Sequence, residues 1–432
     1  MERRRAGGGS RGARALGLVA LLGALGAWMS SSSSSVTMPA VTPAGADADL
    51  DTSELVPPRP LVARRGVPGW LLYSVLADGR LAGHYAVDGH LHSEVSGDSH
   101  TSVREIAALA EKKDLDAIVI TDHGSVAAGE ILAALDRTRA PGARPLFILG
   151  EEAGAIGAHV GLWNVAHHSR FDPHDRGDRI LSVLHVAAAH NPAALAVLNH
   201  PGWSGVGPAY FHPAFFDPRL PGPKFDAIEL WNGRFLLQHQ TRRLIAGWEE
   251  MLERGLRPSI LACSDAHHGS QVGSPFTVVI SPALDAASIT ESARAGRTYL
   301  SDDARVAFSV DGVLPGETLE ADASTDPWHV RLAGWSARGG TLRLYDRRTV
   351  VLETELVPGP FDLGLDYAPP APARDGWLRV EIVRRQKWKG TDIDFVGLIT
   401  SPVYYDLAPY GDFWAARPGT WREAKVVAAV TR

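Results

Sequence analysis

A chain of 432 residues with 45% hydrophobic and 21% charged residues can bury a large core and has room for about two to three domains, which excludes a fibrous or disordered protein. Lys and Arg total 43 against 49 Asp and Glu, a formal net charge of -6, and no basic cluster is interleaved with aromatics, so nucleic acid is not an expected partner. The single cysteine, Cys263, excludes intramolecular disulfides.

The chain begins with a positively charged stretch, "MERRRAGGGSRGAR", then an apolar run from Ala15 to Met29, then a Ser tract from Ser30 to Ser35. Charged, apolar and polar segments in that order form an export signal. The apolar run is shorter than the ~20 residues a membrane-spanning helix needs, which favours a cleaved signal over a permanent anchor. Residues 1–46 are therefore expected to be signal and low-complexity linker. The mature chain is expected to be periplasmic or secreted, with no stable membrane span after cleavage. Arg3, Arg4 and Arg5 hint at a twin-arginine route that the residues after them do not strengthen.

From about Leu71, short apolar runs alternate with helical patterns. "LDAIVITD" (115–122), "RPLFILGEE" (144–152), "ALAVLNH" (194–200), "FDAIELWN" (225–232) and "SILACSD" (259–265) read as buried parallel strands. Between the first strands, "SVREIAALAEKK" offers Ser102 and Glu105 as a capping box and Val103, Ile106, Ala107 and Ala110 as one apolar face. Regular alternation of strand and helix predicts an α/β barrel or layered sheet, whose active site gathers at the carboxyl ends of the strands.

Nearly every one of those ends carries a metal-ligand residue type. In "AVDGHLHSEVSGDSH", strand alternation puts Asp88, His90 and His92 on one face, and two imidazoles two residues apart can grip one ion. "TDHG" supplies His123, with Asp122 pointing elsewhere and better placed to orient a ligand than to bind an ion, and "LGEEAGAIGAHVGLWN" supplies Glu152 and, on the following strand, His159. "LNHPG" gives His200, and "SDAHH" gives Asp265 and His267 on a shared face. Each alone has an ordinary reading as a capped or surface polar residue. Together they predict a metal centre. Cys263, inside an apolar run, reads as a buried small hydrophobe, and Trp203 and Trp231 as packing residues that could wall a pocket.

"DGHLHSEVS", "TDHG", "GEE" followed by "HVGL", "NHPG" and "SDAHH" occur in the order of the motifs of the PHP family, named for polymerase and histidinol phosphatase domains, which residues 85–268 resemble. The resemblance implies a distorted (β/α)7 barrel with two or three divalent ions. Residue by residue, His90, His92, Glu152 and Asp265 resemble the ligands of a first ion. Glu152 would bridge to a second ion with His159 and His200. Asp98, His123 and His267 resemble the ligands of a third, with His100 as the reserve for Asp98. The G-x-E pattern favours Glu152 over Glu151. "SPFTVV", the stretch from Ile289 to Leu319 and "LITSPVYYD" further resemble the secreted branch of the family that includes carbaryl hydrolase.

The expected organisation is thus a metallohydrolase barrel over 70–302, a β-rich, sandwich-like domain over 303–410 and a tail over 411–432. Runs such as "RVAFSVDG", "HVRLAGW" and "WLRVEIVRR" support the β-rich part. No nucleophile elbow, P-loop or dinucleotide fingerprint competes. Clustered cations make hydroxide available near neutral pH and neutralise charge on phosphoryl oxygens, so the expected activity is a metal-dependent phosphoesterase acting on a small anionic ester. Asp122 and His268 are candidate proton donors, and Arg234 a candidate for holding the anionic group. Mixed imidazole and carboxylate shells suit Zn, Mn and Fe alike. Three alternatives stand beside this reading: an amidohydrolase barrel, a carbamate or carboxylic ester hydrolase on the same metals, and a non-catalytic, metal-stabilised binding protein.

Overall fold

Apolar runs bounded by polar residues become strands, and amphipathic runs between them become helices. In chain order they are β1 (Tyr73–Val75), β2 (Leu81–Leu91), α1 (Val103–Lys112), β3 (Ala117–Ile120), α2 (Ala128–Asp136), β4 (Leu146–Ala155), β5 (Ala158–Trp163), α3 (Arg179–His190), β6 (Leu195–Leu198), β7 (Ala227–Asn232), α4 (Gln238–Leu252), β8 (Ser259–Cys263), β9 (Phe276–Ser281), α5 (Ala286–Arg294) and β10 (Thr298–Ser301). Nine strands without a helix follow: β11 (Arg305–Val310), β12 (Thr318–Asp322), β13 (Trp328–Ser336), β14 (Gly340–Asp346), β15 (Thr349–Leu356), β16 (Gly359–Tyr367), β17 (Gly376–Trp388), β18 (Thr391–Thr400) and β19 (Val403–Ala408). The computed structural model describes residues 73–155, 158–169, 179–201, 215–233, 238–322, 326–370, 374–388, 390–408 and 414. The expected export segment, Trp203, Arg234 and most of the expected tail lie outside these residues.

The mixed α/β class and the β-rich C-terminal region are as the sequence predicts. Helix α1 starts at Ser102, whose hydroxyl accepts the Glu105 N–H, and buries Val103, Ile106, Ala107 and Ala110. The expected distorted barrel does not close as a continuous sheet: among the described residues the strand order is β12-β19-β17-β18-β10-β9-β2-β3-β4-β5-β6-β7-β8, and between β2 and the end of β8 one parallel bridge, Leu91 to Ala266, stands in place of a ladder.

Side chains occupy the rest of that seam. Asp88 accepts the Ser264 N–H at 3.0 Å, Thr277 Oγ1 accepts the Ala262 N–H and donates to the Ala262 carbonyl, both at 2.8 Å, and Thr298 Oγ1 donates to the Ile260 carbonyl at 2.9 Å. A buried strand edge must find partners for its backbone groups, and here three polar side chains supply them. A second departure from a regular (β/α) repeat is the β4–β5 hairpin. Strand β5 runs antiparallel to both β4 and β6, which carries His159 back to the end of β4 where Glu152 lies.

The sheet continues across the expected boundary at residue 302, because β10 pairs antiparallel with β18. One apolar core is shared accordingly: Trp248 and Met251 of α4 pack with Trp377, Ile399, Tyr404 and Trp414. Beside it, Arg379 of β17 is buried and donates to Glu381 at 2.6 Å and to Glu249 of α4, while Arg242 of α4 reaches Glu381 at 2.7 Å. Removing one member of such a buried group strands the rest uncompensated. Among the described residues no helix is long and apolar enough to cross a membrane.

His84 in β2 is fully buried, with Ser74 Oγ at 2.8 Å from its Nε2. Burial pushes its pKa down to about 3, with the Arg305 charge adding to the effect. The unfolded chain therefore takes up a proton below about pH 6.5 that the folded chain refuses until about pH 3, so stability decreases as the pH is lowered through that window. Between pH 7 and 5 this costs about 2 kcal/mol. His84→Gln is expected to lose that much less stability than the parent over the same interval. Denaturant unfolding at the two pH values measures it, and equal losses in both proteins would exclude the effect.

Candidate metal centre

The ends of β2, β3, β4, β6 and β8 and the start of β5 meet over one small region. His90 lies at the end of β2, and His92 follows directly where the chain leaves the sheet. The His92 N–H donates to the Ala266 carbonyl at 3.0 Å, which ties the H-x-H segment to the D-A-H segment after β8. Two further clamps hold these loops. Asp122 accepts both the N–H and the hydroxyl of Ser93 at 2.7 and 2.8 Å, and Asp88 accepts the N–H and the hydroxyl of Ser264 at 3.0 and 2.6 Å. Gly89 is required by packing, because a Cβ there would fall 1.8 Å from the Trp163 ring.

Glu152 is the hub. Its carboxylate is 1% exposed and lies 3.2 Å from His90 Nε2, His92 Nε2 and His123 Nδ1, and 3.0 Å from His159 Nδ1 and His200 Nε2. Asn199 donates to the same group at 2.8 Å. Asp265 Oδ1 is 3.3 Å from both His90 Nε2 and His92 Nε2, which are themselves 3.0 Å apart. On the outer side, Asp98 Oδ2 is 3.1 Å from His123 Nε2 and 3.1 Å from His267 Nε2. Donor atoms bonded at about 2.0–2.1 Å to a tetrahedral ion stand about 3.3 Å apart, so these spacings suit a bound cation.

Among the described residues, four combinations of donors are close enough to hold an ion: His90, His92 and Asp265; His90, Glu152 and His200; His123, Glu152 and His159; and His92, Asp98, His123 and His267. A neutral imidazole has one lone pair, so combinations sharing an imidazole compete for it. All nine side chains proposed as ligands from the sequence converge here, and His100 is exposed to solvent.

The electrostatics fit a cation-binding cavity. Burial works against charge on His90, but the carboxylates of Glu152, Asp265 and Glu229 outweigh it and hold the ring well above its ordinary pKa. Burial likewise opposes charge on His92, and hydrogen bonds to Asp265 and Glu152 lift it to about 9. Burial also opposes ionisation of Glu152 and Asp265, yet the surrounding imidazoles keep both well below the usual carboxylate range. Without an ion, protons on the imidazoles are the counter-charge for these buried carboxylates, and a divalent cation supplies the same charge at the same place.

The proposed proton donors fare differently. Asp122 accepts both the N–H and the hydroxyl of Ser93, which ties it to the His92 turn, and burial raises its pKa above the ordinary carboxylate value. His268 is exposed beside His267 and donates its backbone N–H to Gln271. Arg234 lies outside the described residues. Cys263 and Trp231 are buried, as packing residues should be.

The sequence reading missed Glu229. Its buried carboxylate faces His90 Nδ1 at 3.2 Å and accepts the His200 N–H at 2.7 Å and the Asn232 amide at 3.0 Å, while Asn232 also donates to Asp265 Oδ2 at 3.2 Å. With Nδ1–H pointed at Glu229, His90 keeps its Nε2 lone pair for an ion. The one signal was a charged residue inside the apolar run of β7.

Residues 88–197 match the model of the PHP domain family. That stretch carries His90 to His159 and ends before His200, Asp265 and His267. No curated protein matches the chain by sequence. Among solved structures, a two-domain protein from Bacteroides vulgatus ATCC 8482, containing a predicted PHP-like metal-dependent phosphoesterase, is similar at 14% identity, covering 73% of this chain and 95% of its own with a TM-score of 0.42. A protein from Bifidobacterium adolescentis ATCC 15703, proposed to be a metal-dependent phosphoesterase, is similar at 15% identity, covering 42% and 88% with a TM-score of 0.26.

If Glu152 serves two ions, Glu152→Gln should lower metal content by more than one equivalent per chain while the fold is kept. Asp98→Ala should cost one equivalent and His100→Ala none. Elemental analysis after dialysis checks all three, and full loading of Glu152→Gln would refute the hub role.

Proposed function

We propose that the chain is a metal-dependent phosphoesterase, hydrolysing a small anionic phosphomonoester or phosphodiester at a multinuclear centre. The observation that carries this reading is the convergence of six imidazoles and three carboxylates around Glu152 in a segment matching the PHP domain family. His90, His92, Glu152 and Asp265 would hold one ion, Glu152 with His159 and His200 a second, and Asp98, His123 and His267 a third. When bound, Zn, Mn or Fe ions at such positions lower the pKa of a water and neutralise charge that builds on phosphoryl oxygens.

The chain's own residues set the electrostatics. Asp98, Glu152, Glu229 and Asp265 bring four negative charges, which two divalent ions balance. A third ion beside Asp98, His123 and His267 adds positive charge on the exposed side of the site, which favours an anionic substrate. His268 stands at the rim as the candidate to pass a proton to the leaving group, and Arg234 is the candidate to hold a substrate oxygen. The resemblance to the secreted branch that includes carbaryl hydrolase, supported by the strands after residue 302, makes aryl esters and carbamates the substrates to compare. Aryl phosphate, aryl phosphodiester and aryl ester hydrolysis should be assayed with metal and with chelator. Phosphoester cleavage lost on chelation and restored by Mn or Zn is expected. Ester cleavage alone would shift the substrate class, and no turnover on any substrate would sink the enzymatic reading.

We also propose export with removal of a signal within residues 1–46. Mass spectrometry of the protein from an exported fraction should find a mature N-terminus near residues 40 to 60, and a soluble cytoplasmic protein retaining Met1 would overturn this.

A further inference from the structure

His123 presents its two ring nitrogens to two different candidate ion positions. Its Nδ1 is 3.2 Å from Glu152 Oε2, in the combination completed by His159. Its Nε2 is 3.1 Å from Asp98 Oδ2, in the combination completed by His267 and His92. A neutral imidazole carries one lone pair and one N–H, so it can bond an ion on only one side at a time. The two sides also differ in what remains when His123 leaves. The inner side keeps Glu152, His159 and His200. The outer side keeps Asp98 and His267, because the Nε2 of His92 is directed at Glu152 and Asp265.

Resting on the multinuclear reading above, we infer that His123 is a shared ligand whose ring nitrogen choice sets whether the centre holds two ions or three. With two ions, His123 turns its Nδ1 lone pair to the inner position beside Glu152. With three, it gives its Nε2 lone pair to the outer position, and the inner ion loses a donor. Filling the outer position therefore weakens the neighbouring inner ion. By linkage, a tightly held inner ion weakens the outer one to the same degree. Exposure agrees with an outer ion that exchanges. The side chains of Asp98, His123 and His267 are 41%, 35% and 31% exposed, against 1%, 27% and 14% for Glu152, His159 and His200 of the inner position.

The test removes the outer position and asks whether His123 still matters. Apoprotein of the full chain is titrated with Mn2+, reading the stoichiometry and affinity of each step by calorimetry, with electron paramagnetic resonance counting bound ions. Asp98→Ala should bind two ions. Adding His123→Ala to it should weaken the second ion by at least about tenfold, the scale of losing a ligand-shell partner. In the same Asp98→Ala background, His123→Asn, whose amide oxygen replaces Nδ1, should restore that affinity, and His123→Gln, whose oxygen replaces Nε2, should not. The parent should bind its third ion more weakly than its second.

Equal second-ion affinity in Asp98→Ala with and without His123 would overturn the shared-ligand inference and leave the multinuclear centre intact. Rescue by Gln in place of Asn would overturn it in the same way. A parent that takes up one ion or none would overturn the multinuclear reading, and this inference with it. Thermal melts of each variant identify any loss of affinity that comes from unfolding, and the Asn and Gln pair, nearly alike in shape and polarity, separates a ligand role from a packing role.

Discussion

One buried carboxylate, Glu152, faces five imidazoles, and much of the architecture exists to make that arrangement tolerable. An ionised group with 1% exposure costs several kcal/mol unless opposite charge and hydrogen bonds replace its water. Glu152 receives both, from imidazoles on four elements and from the Asn199 amide. Even the glycine pattern follows from this. A Cβ at Gly161 would lie 2.3 Å from Asn199 Oδ1, so the small residue opposite Glu152 in the β4–β5 hairpin is what lets Asn199 reach the carboxylate.

The clamps around the centre use one device repeatedly. Asp88 with Ser264 and Asp122 with Ser93 each pair a carboxylate with both donors of one serine, and in each case that serine is the immediate chain neighbour of a candidate ligand, Asp265 or His92. Asp116 accepts the Ala86 N–H and Asp226 accepts the Ala196 N–H, tying adjacent strands at their other ends. Charged groups accepting backbone N–H bonds make stronger contacts than neutral pairs. They fix loop position in the place where a ladder no longer does.

Much of this was legible from the residues. The H-x-H pair, His123, Glu152, His159, His200, Asp265 and His267 stand at strand ends or just beyond them, and the period of two along a strand decides which of them share a face. Asp98 against His100 was a choice the spacing left open, and the loop places Asp98 between His123 and His267. Asp122 could be read as pointing away from the ions and orienting a ligand, but nothing local names Ser93 as its partner. Glu229, Asn199 and Asn232 act by holding His90, Glu152 and Asp265, partners distant in the sequence about which periodicity carries no information. The open sheet was hidden for the same reason: the seam is filled by Thr277, Thr298 and Asp88, residues whose types also suit an ordinary closed ladder.

The backbone shows why the seam and the centre coincide. The β2–β3 ladder shifts register between Asp88 and Leu91, and the β7–β8 ladder between Glu229 and Trp231, so His90 and Glu229 lie at or beside irregularities that re-aim side chains. His200 and Asp265 have positive φ values of 26° and 49°, a region that residues other than glycine enter at a cost of order 1–3 kcal/mol unless the surroundings fix them. Across the seam Leu91 and Ala266 make a parallel bridge, and the His92 N–H reaches the Ala266 carbonyl at 3.0 Å. With the backbone joined there and the rest of the β8 edge bonded to Asp88, Thr277 and Thr298, the turn at Asp265 is held from both sides, which brings its carboxylate within 3.3 Å of His90 and His92.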